Sequence, residues 1–259
     1  RDRVNLSAVN SINWARLMPQ IVYYFSAALA LGAPGRKVAF SVPTGNFGNV
    51  FAGYVAMRMG LPVERLIVAS NSNDILTRFF EQGAMQRDVV TPSLSPSMDI
   101  QVSSNFERLL FELMDRDGVA VAGIMDRFAE TGRFELPDSA MKAAHRHFSA
   151  YRLDDAGTLA EIAASMETDG MCLDPHSAVG VSAARRAIAD GTVAADIPVV
   201  ALACAHPAKF GAAVSKATGT TPALPPHLAD LMQRPEKMAK ADASAAAVRD
   251  LVLEKWRRG

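Results

Sequence analysis

The run Thr44-Gly45-Asn46-Phe47-Gly48-Asn49 carries the strongest local chemistry in the chain. It follows a short apolar stretch and precedes a helical pattern. Two glycines three apart allow backbone N–H groups to point into one concavity. The positive end of the following helix then favours an anion there, typically a phosphate. A nucleoside-triphosphate loop would need Gly-Lys-Ser/Thr, and a dinucleotide fingerprint a third glycine; neither is present. The competing reading is an ordinary strand-to-helix turn in which Gly and Asn supply positive φ.

A second polar cluster, Asn10-Ser11-Ile12-Asn13-Trp14-Ala15-Arg16, stands at the mouth of a helix. Ser11 is a natural N-cap, and Arg16 sits about one turn further on, so both could face one bound anion. The plain alternative is a cap and a solvated arginine. A third, Ala205-His206-Pro207-Ala208-Lys209-Phe210, follows a strand-like run with Cys204 at its end. Ligands of open α/β sheets bind outside the C-terminal ends of parallel strands, where a thiol can meet a ligand atom. Against this, a free cysteine is commonly a small buried hydrophobe, and His206 reads as a hydrogen-bonded turn residue. In Asp174-Pro175-His176-Ser177, either Asp174 or Ser177 can cap the helix that follows.

Other constellations fail. His145 and His147 are two apart and diverge on a helix, which makes a poor metal pair. Gly180-Val181-Ser182-Ala183-Ala184 lacks the second glycine of a nucleophile elbow, and no acidic pair suits glycosidase chemistry. Lys+Arg and Asp+Glu each total 27, so the formal charge is zero and the chain lacks the positive surplus of a nucleic-acid binder. The basic end Lys255-Trp256-Arg257-Arg258 suits a helix C-terminus. Two cysteines without C-x-x-C spacing fit a reduced, cytoplasmic setting. No run approaches the roughly 18 apolar residues of a membrane span, and Arg1-Asp2-Arg3-Val4-Asn5-Leu6 is unlike a signal peptide.

The elements that must position these residues follow an α/β rhythm. Residues 13–31 read as a helix with Leu17, Ile21, Tyr24, Phe25 and Ala28 on one face. Residues 37–42 read as a buried parallel strand, 50–59 as a helix and 66–69 as a second strand. Asn71-Ser72-Asn73-Asp74 offers caps for a helix over 75–80. After a loop at 91–97, a helix is expected over 106–114, with two more between 120 and 147, broken near Thr131-Gly132 and Leu136-Pro137. Helices over 159–167 and 178–190, a strand over 197–203, a helix opened by Pro207 and a final helix over 243–256 complete the pattern. The 49% hydrophobic share supports a sizeable core, and no linker splits the chain cleanly, so the expectation is α/β, largely one domain.

Taken together, these motifs resemble the threonine synthases, pyridoxal-phosphate enzymes of the tryptophan-synthase-β (fold type II) group. The segments are Asn10-Ser11-Ile12-Asn13 with Arg16 and Tyr23-Tyr24-Phe25, Ser41-Val42-Pro43 with Thr44 to Asn49, Asp174-Pro175-His176-Ser177-Ala178-Val179-Gly180, and Ala205 to Phe210. They occur in the family's order over nearly the whole chain, most like the bacterial and fungal subgroup. The resemblance implies a parallel-sheet three-layer α/β sandwich, seen in part, in which residues 1–259 form the C-terminal part of the catalytic domain and the helices of about 226–259 belong to the same unit. It implies conversion of O-phospho-L-homoserine and water to L-threonine and phosphate, with phosphate leaving the γ carbon and water adding at the β carbon.

By the same resemblance, Gly45, Asn46, Phe47, Gly48 and Asn49 hold the phosphate of pyridoxal 5′-phosphate. Cys204, where the family pattern has Thr, faces the cofactor's pyridine nitrogen. Ser11, Asn13 and Arg16 bind the substrate, and a bidentate guanidinium suits its phosphate. No metal is implied, the partner is the small-molecule substrate, and the protein is expected to be a monomer or homodimer without nucleic acid or membrane. The family's Schiff-base lysine lies in a Phe-Lys-Asp motif well before the Asn-Ser segment, and that motif does not occur here. Lys209 follows the cofactor strand and does not match it. The chain is therefore expected to be the C-terminal half or somewhat more of the enzyme, with no catalytic lysine of its own, and inactive as it stands. The alternatives are another fold type II enzyme, such as a threonine or serine dehydratase or a sulfhydrylase, which would not need Ser11 and Arg16, and a non-catalytic relative that binds a phosphorylated small molecule.

Overall fold

The computed structural model describes Val4 and residues 10–258; the side chains of Arg257 and Arg258, and the N-terminal run apart from Val4, lie outside the described residues. By internal contacts the chain divides into two compact units, the larger spanning Asn10–Pro222 and the other holding the residues from Ala223 onward.

The larger unit is organised by strand β1 (Val38–Pro43), all six residues of which are buried, as a continuous apolar run predicts. It lies between β2 (Val63–Ser70) and β6 (Val199–Ala201), with β5 (Phe148–Arg152) beyond β2. All three pairings are parallel, and Phe40 stands opposite Leu66 and Val200. Alternation along the strands feeds two cores. Val38, Phe40, Val42, Leu66 and Val68 face one side with Tyr24 and Val50, while Ala39, Ile67 and Ala69 face the other with Val179, Ala183 and Ala187.

Helices α1 (Trp14–Ala30), α2 (Gly48–Arg58), α3 (Ile75–Gln82), α4 (Phe106–Leu113), α5 (Gly118–Thr131) and α6 (Asp138–His145) supply the first side. On the second, α8 (Pro175–Ala189) lies along the sheet, with α7 (Asp155–Asp169) and α9 (Gly211–Thr218) packed beyond. The result is the three-layer α/β/α sandwich expected. A separate antiparallel ribbon joins β3 (Ala84–Gln86) to β4 (Arg133–Glu135). In the second unit, two short 3₁₀ turns precede α10 (Ala245–Arg258), the expected final helix, which ends in the basic cluster.

Two close approaches set the layers. A Cβ on Gly53 would lie 2.5 Å from the Tyr24 ring, so glycine lets α2 press onto α1. A Cβ on Gly180 would lie 2.6 Å from Pro43 Cγ, so glycine lets α8 reach the end of β1, where Ser41 Oγ also donates to the Gly180 carbonyl (2.6 Å).

The apolar periods predicted α1 well: Leu17, Ile21, Tyr24 and Ala28 are buried and Phe25 packs against the same core. Several expectations are corrected. Asn13, not Ser11, caps α1, its side-chain oxygen accepting from the Ala15 N–H (3.0 Å). Asp74 makes no cap hydrogen bond to α3; its carboxylate instead pairs with Arg78 (2.8 Å) and Arg152 (3.3 Å). Pro207 opens a short 3₁₀ turn, Pro207–Phe210, and α9 begins only after it. The strand expected over 197–203 shortens to three residues, and β5 was not anticipated, because its half-buried pattern follows directly on a helix.

Candidate functional site at the strand ends

At the C-terminal end of β1 the chain turns through residues 44–47 into α2. Phe47 has φ 61°, and its fully buried ring meets Phe106 (5.2 Å) and Phe148 (6.0 Å), which anchors the turn in the core. A neighbouring segment, missed in the sequence, fixes the peptide orientations. The Gly45 carbonyl accepts from Ser103 Oγ (2.7 Å), and the Asn46 carbonyl accepts from both the backbone N–H (3.0 Å) and the side-chain amide (3.1 Å) of Asn105. Because a trans peptide directs C=O and N–H oppositely, the Asn46 N–H is turned the other way. The Phe47 N–H donates to Thr44 Oγ1 (3.0 Å), which shapes the turn, and Phe47 is itself among the residues lining the cavity at the strand ends.

Helix α2 has no side-chain cap at its start. The N–H groups of Gly48, Asn49 and Val50 occupy its first turn, where a helix offers them no acceptor. An uncapped N-terminus with peptide dipoles aligned behind it is an anion site. Tyr24 steadies it from α1: its hydroxyl, completely buried and held well above the usual tyrosine pKa by that burial, donates to the Asn49 carbonyl (2.7 Å), with the Asn49 side-chain oxygen 3.0 Å away.

Gly48 and Asn49 line a cavity of about 250 Å³ together with Gly45, Asn46 and Phe47. Ser11 and Gln20 bound it from the α1 side, Ser97 and Met98 from the loop after β3, and His176, Cys204 and Lys209 from the far side. Among the described residues no carboxylate lines it, and Lys209 contributes a formal positive charge. The structure thus brings together Ser11, Gly45 to Asn49 and Cys204 from three distant parts of the chain. Arg16 does not line the cavity; it is exposed on α1, four residues before Gln20 and so on the same helical face. Asn13 is likewise outside the lining; its backbone N–H donates to the Asn10 carbonyl (3.1 Å) and closes the turn that carries Ser11.

Cys204 is no buried hydrophobe: it presents surface to the cavity. Dense packing on its other sides, and then the charge of Asp174, push its thiol up to about 12, so it stays protonated. His206 is the turn residue expected, its Nδ1 accepting from the Ala208 N–H (3.2 Å). Among the described residues no cluster of His, Cys, Asp or Glu could hold a metal ion, and no helix is long and apolar enough to cross a membrane.

The loop carrying Ser97 and Met98 is held by one carboxylate. Asp99 Oδ1 accepts from Asn71 Nδ2 (2.8 Å), Asn73 Nδ2 (2.9 Å) and Ser93 Oγ (2.6 Å), while Oδ2 accepts from the Ser93 N–H (2.8 Å). The polar residues read in sequence as caps for α3 are thus the clamp for this loop. A Cβ on Gly45 would lie 3.0 Å from Ile100 and 3.1 Å from Met98 Cα, so the loop closes on a position that only glycine fills easily.

The three-layer sandwich with its parallel sheet, and an uncapped helix N-terminus at the strand ends, is that of the fold type II, tryptophan-synthase-β-like class. A family model described as "Threonine synthase, C-terminal" matches residues 177–252. Threonine synthase of Pseudomonas aeruginosa is 52% identical over 255 residues, 98% of this chain and 54% of that protein. The yeast enzyme of Saccharomyces cerevisiae is 42% identical, over 82% of this chain and 44% of its own length. A crystal structure of threonine synthase from Brucella melitensis with pyridoxal phosphate bound superposes with a TM-score of 0.93 at 52% identity, covering 98% of this chain and 53% of that one. Over nearly its whole length the chain is similar to threonine synthases, and it spans about half the length of the curated relatives it matches.

Proposed function

We propose that the whole protein is a pyridoxal-phosphate-dependent threonine synthase, converting O-phospho-L-homoserine and water to L-threonine and phosphate, and that this chain forms the C-terminal part of its catalytic domain. The observation that carries the reading is the cavity itself: an uncapped helix start, carbonyls pinned away from it, Ser11 beside it and no carboxylate among the described residues of its walls. These features fit a phosphorylated cofactor and an anionic substrate. The N–H groups of Asn46, Gly48 and Asn49 would hold the cofactor phosphate, and the protonated Cys204 thiol would face the pyridine nitrogen as a weak hydrogen-bond donor.

When bound, the cofactor supplies the electron sink for proton loss next to the substrate amine. Ser11 and Arg16 hold the substrate's phosphate, with Arg16 at the rim, and stabilise the charge that concentrates there as it leaves. The Asn13 backbone N–H, donating to the Asn10 carbonyl, fixes the turn that presents Ser11. Lys209 adds to the positive potential and is not the Schiff-base lysine. That lysine we assign to a part of the protein outside these 259 residues, which contain no Phe-Lys-Asp, so this chain alone is inactive. The two unpaired cysteines fit a cytoplasmic setting.

In the protein from the complete reading frame, Arg16→Ala is expected to raise KM for O-phospho-L-homoserine at least about tenfold and to lower kcat. An unchanged kcat/KM would remove Arg16 from the substrate site. A dehydratase would instead release ammonia from serine or threonine without phosphate, which separates the nearest alternative reading.

A further inference from the structure

Asp174, at the start of α8, does more than cap a helix. Its Oδ1 accepts from the His176 backbone N–H (2.9 Å), the ordinary capping bond, and from His176 Nδ1 (3.0 Å). Its Oδ2 accepts from the Ser177 hydroxyl and from the Ala205 N–H (3.2 Å). Ser177 Oγ in turn accepts from the Cys204 N–H (2.9 Å). On the other side of the imidazole, His176 Nε2 accepts from the Ser97 N–H (3.3 Å). An accepting Nε2 places the ring proton on Nδ1, so Asp174 also selects the tautomer. The ring is packed against Phe210 at 4.9 Å, and the Asp174 side chain has no solvent exposure.

Capping α8 needs one of these bonds. The others run to two walls of the cavity: Cys204 and Ala205 after the end of β6, and Ser97 on the loop after β3. We propose that Asp174 is a positioning residue for the cavity, setting the place of Cys204 through Ser177 and Ala205 and the place of Ser97 through His176. The proposal rests on the cofactor reading above for its purpose, but its geometry stands without it.

The groups that bear on the thiol are Asp174 beneath it, Tyr24 from α1, and His176 and Lys209, which line the same cavity. In the protein from the complete reading frame, iodoacetamide labelling at pH about 8.5, mapped by peptide mass, reads Cys204 and Cys172 separately. Asp174→Asn puts a donor where the Ser177 and Ala205 donors point. Ser177→Ala breaks the Cys204 link alone and keeps the test open if the first variant does not fold. Both are expected to speed Cys204 labelling about tenfold with Cys172 within about twofold of the parent. The dissociation constant for added pyridoxal phosphate, followed by absorbance, is expected to rise about tenfold in Asp174→Asn. Cys204 labelling within about twofold of the parent in both variants, or Cys172 accelerating equally, overturns the proposal. A parent protein that binds no pyridoxal phosphate sinks the cofactor reading instead, and the labelling result still decides the positioning role.

Discussion

Tyr24 shows how one buried hydroxyl can matter at an anion site. It donates to the backbone of Asn49, the second residue of α2, and lies wholly inside the core. Tyr24→Phe keeps the ring and removes the donor, so unfolding free energy is expected to fall by about 1 kcal/mol, measured by urea denaturation, with weaker retention of pyridoxal phosphate. Asp174 gives a pH signature. Burial alone would raise its carboxyl, but hydrogen bonds from His176 and Ser177 outweigh it and hold the pKa below the ordinary value. A carboxyl depressed on folding stabilises above its unfolded pKa, about 3.9, and that contribution is lost as pH falls through the folded value. The stability difference between parent and Asp174→Asn should therefore be constant near neutrality and shrink below about pH 4; a difference that grows on acidification would contradict the assignment. At this scale the contiguous motifs were legible: Gly45 to Asn49, Ser11 and Cys204 all reach the cavity. The residues that orient them were not, because Ser103, Asn105, Ser97 and Asp174 act on partners 31 to 79 positions away, and a lone polar residue before an apolar run reads only as a cap.

Elements meet here through positions that only small or multiply bonded residues satisfy. Gly180 brings α8 onto Pro43, and a methyl there would have to displace a proline ring at the end of a central strand. Gly180→Ala is expected to cost about 1–3 kcal/mol, read as a lower denaturation midpoint. The loop after β3 depends on Asp99 and its four hydrogen bonds. Asp99→Ala leaves the Asn71 and Asn73 amides without that acceptor and should cost about 2–3 kcal/mol, with faster proteolysis confined to residues 88–100. Intact resistance in that loop would show that Asp99 does not hold it. Helical spacing placed α1, which buries one regular face, and continuous apolar runs placed β1 and β2. Both signals passed over β5 and the β3–β4 ribbon because five-residue and three-residue strands with mixed burial carry too few repeats to register.

Across the whole molecule, the outer face of α1 stands uncovered. Trp14, Met18, Val22 and Leu29 follow helical spacing and are 44–59% exposed. A stripe of that kind marks a surface built for contact. The 259-residue chain purified alone is expected to bind a hydrophobic dye strongly, and the combined change Met18→Ser, Val22→Ser and Leu29→Ser should lower that signal; an unchanged signal would place the exposed apolar surface elsewhere. The central claim is that the cavity at the strand ends serves phosphate elimination from a phosphorylated amino acid. It is tested most directly by incubating the protein from the complete reading frame, loaded with pyridoxal phosphate, with O-phospho-L-homoserine, and measuring phosphate and L-threonine together. Both products are expected in equal amounts, with the yield sharply reduced by Ser11→Ala. Bound pyridoxal phosphate with no phosphate released from this substrate would contradict it.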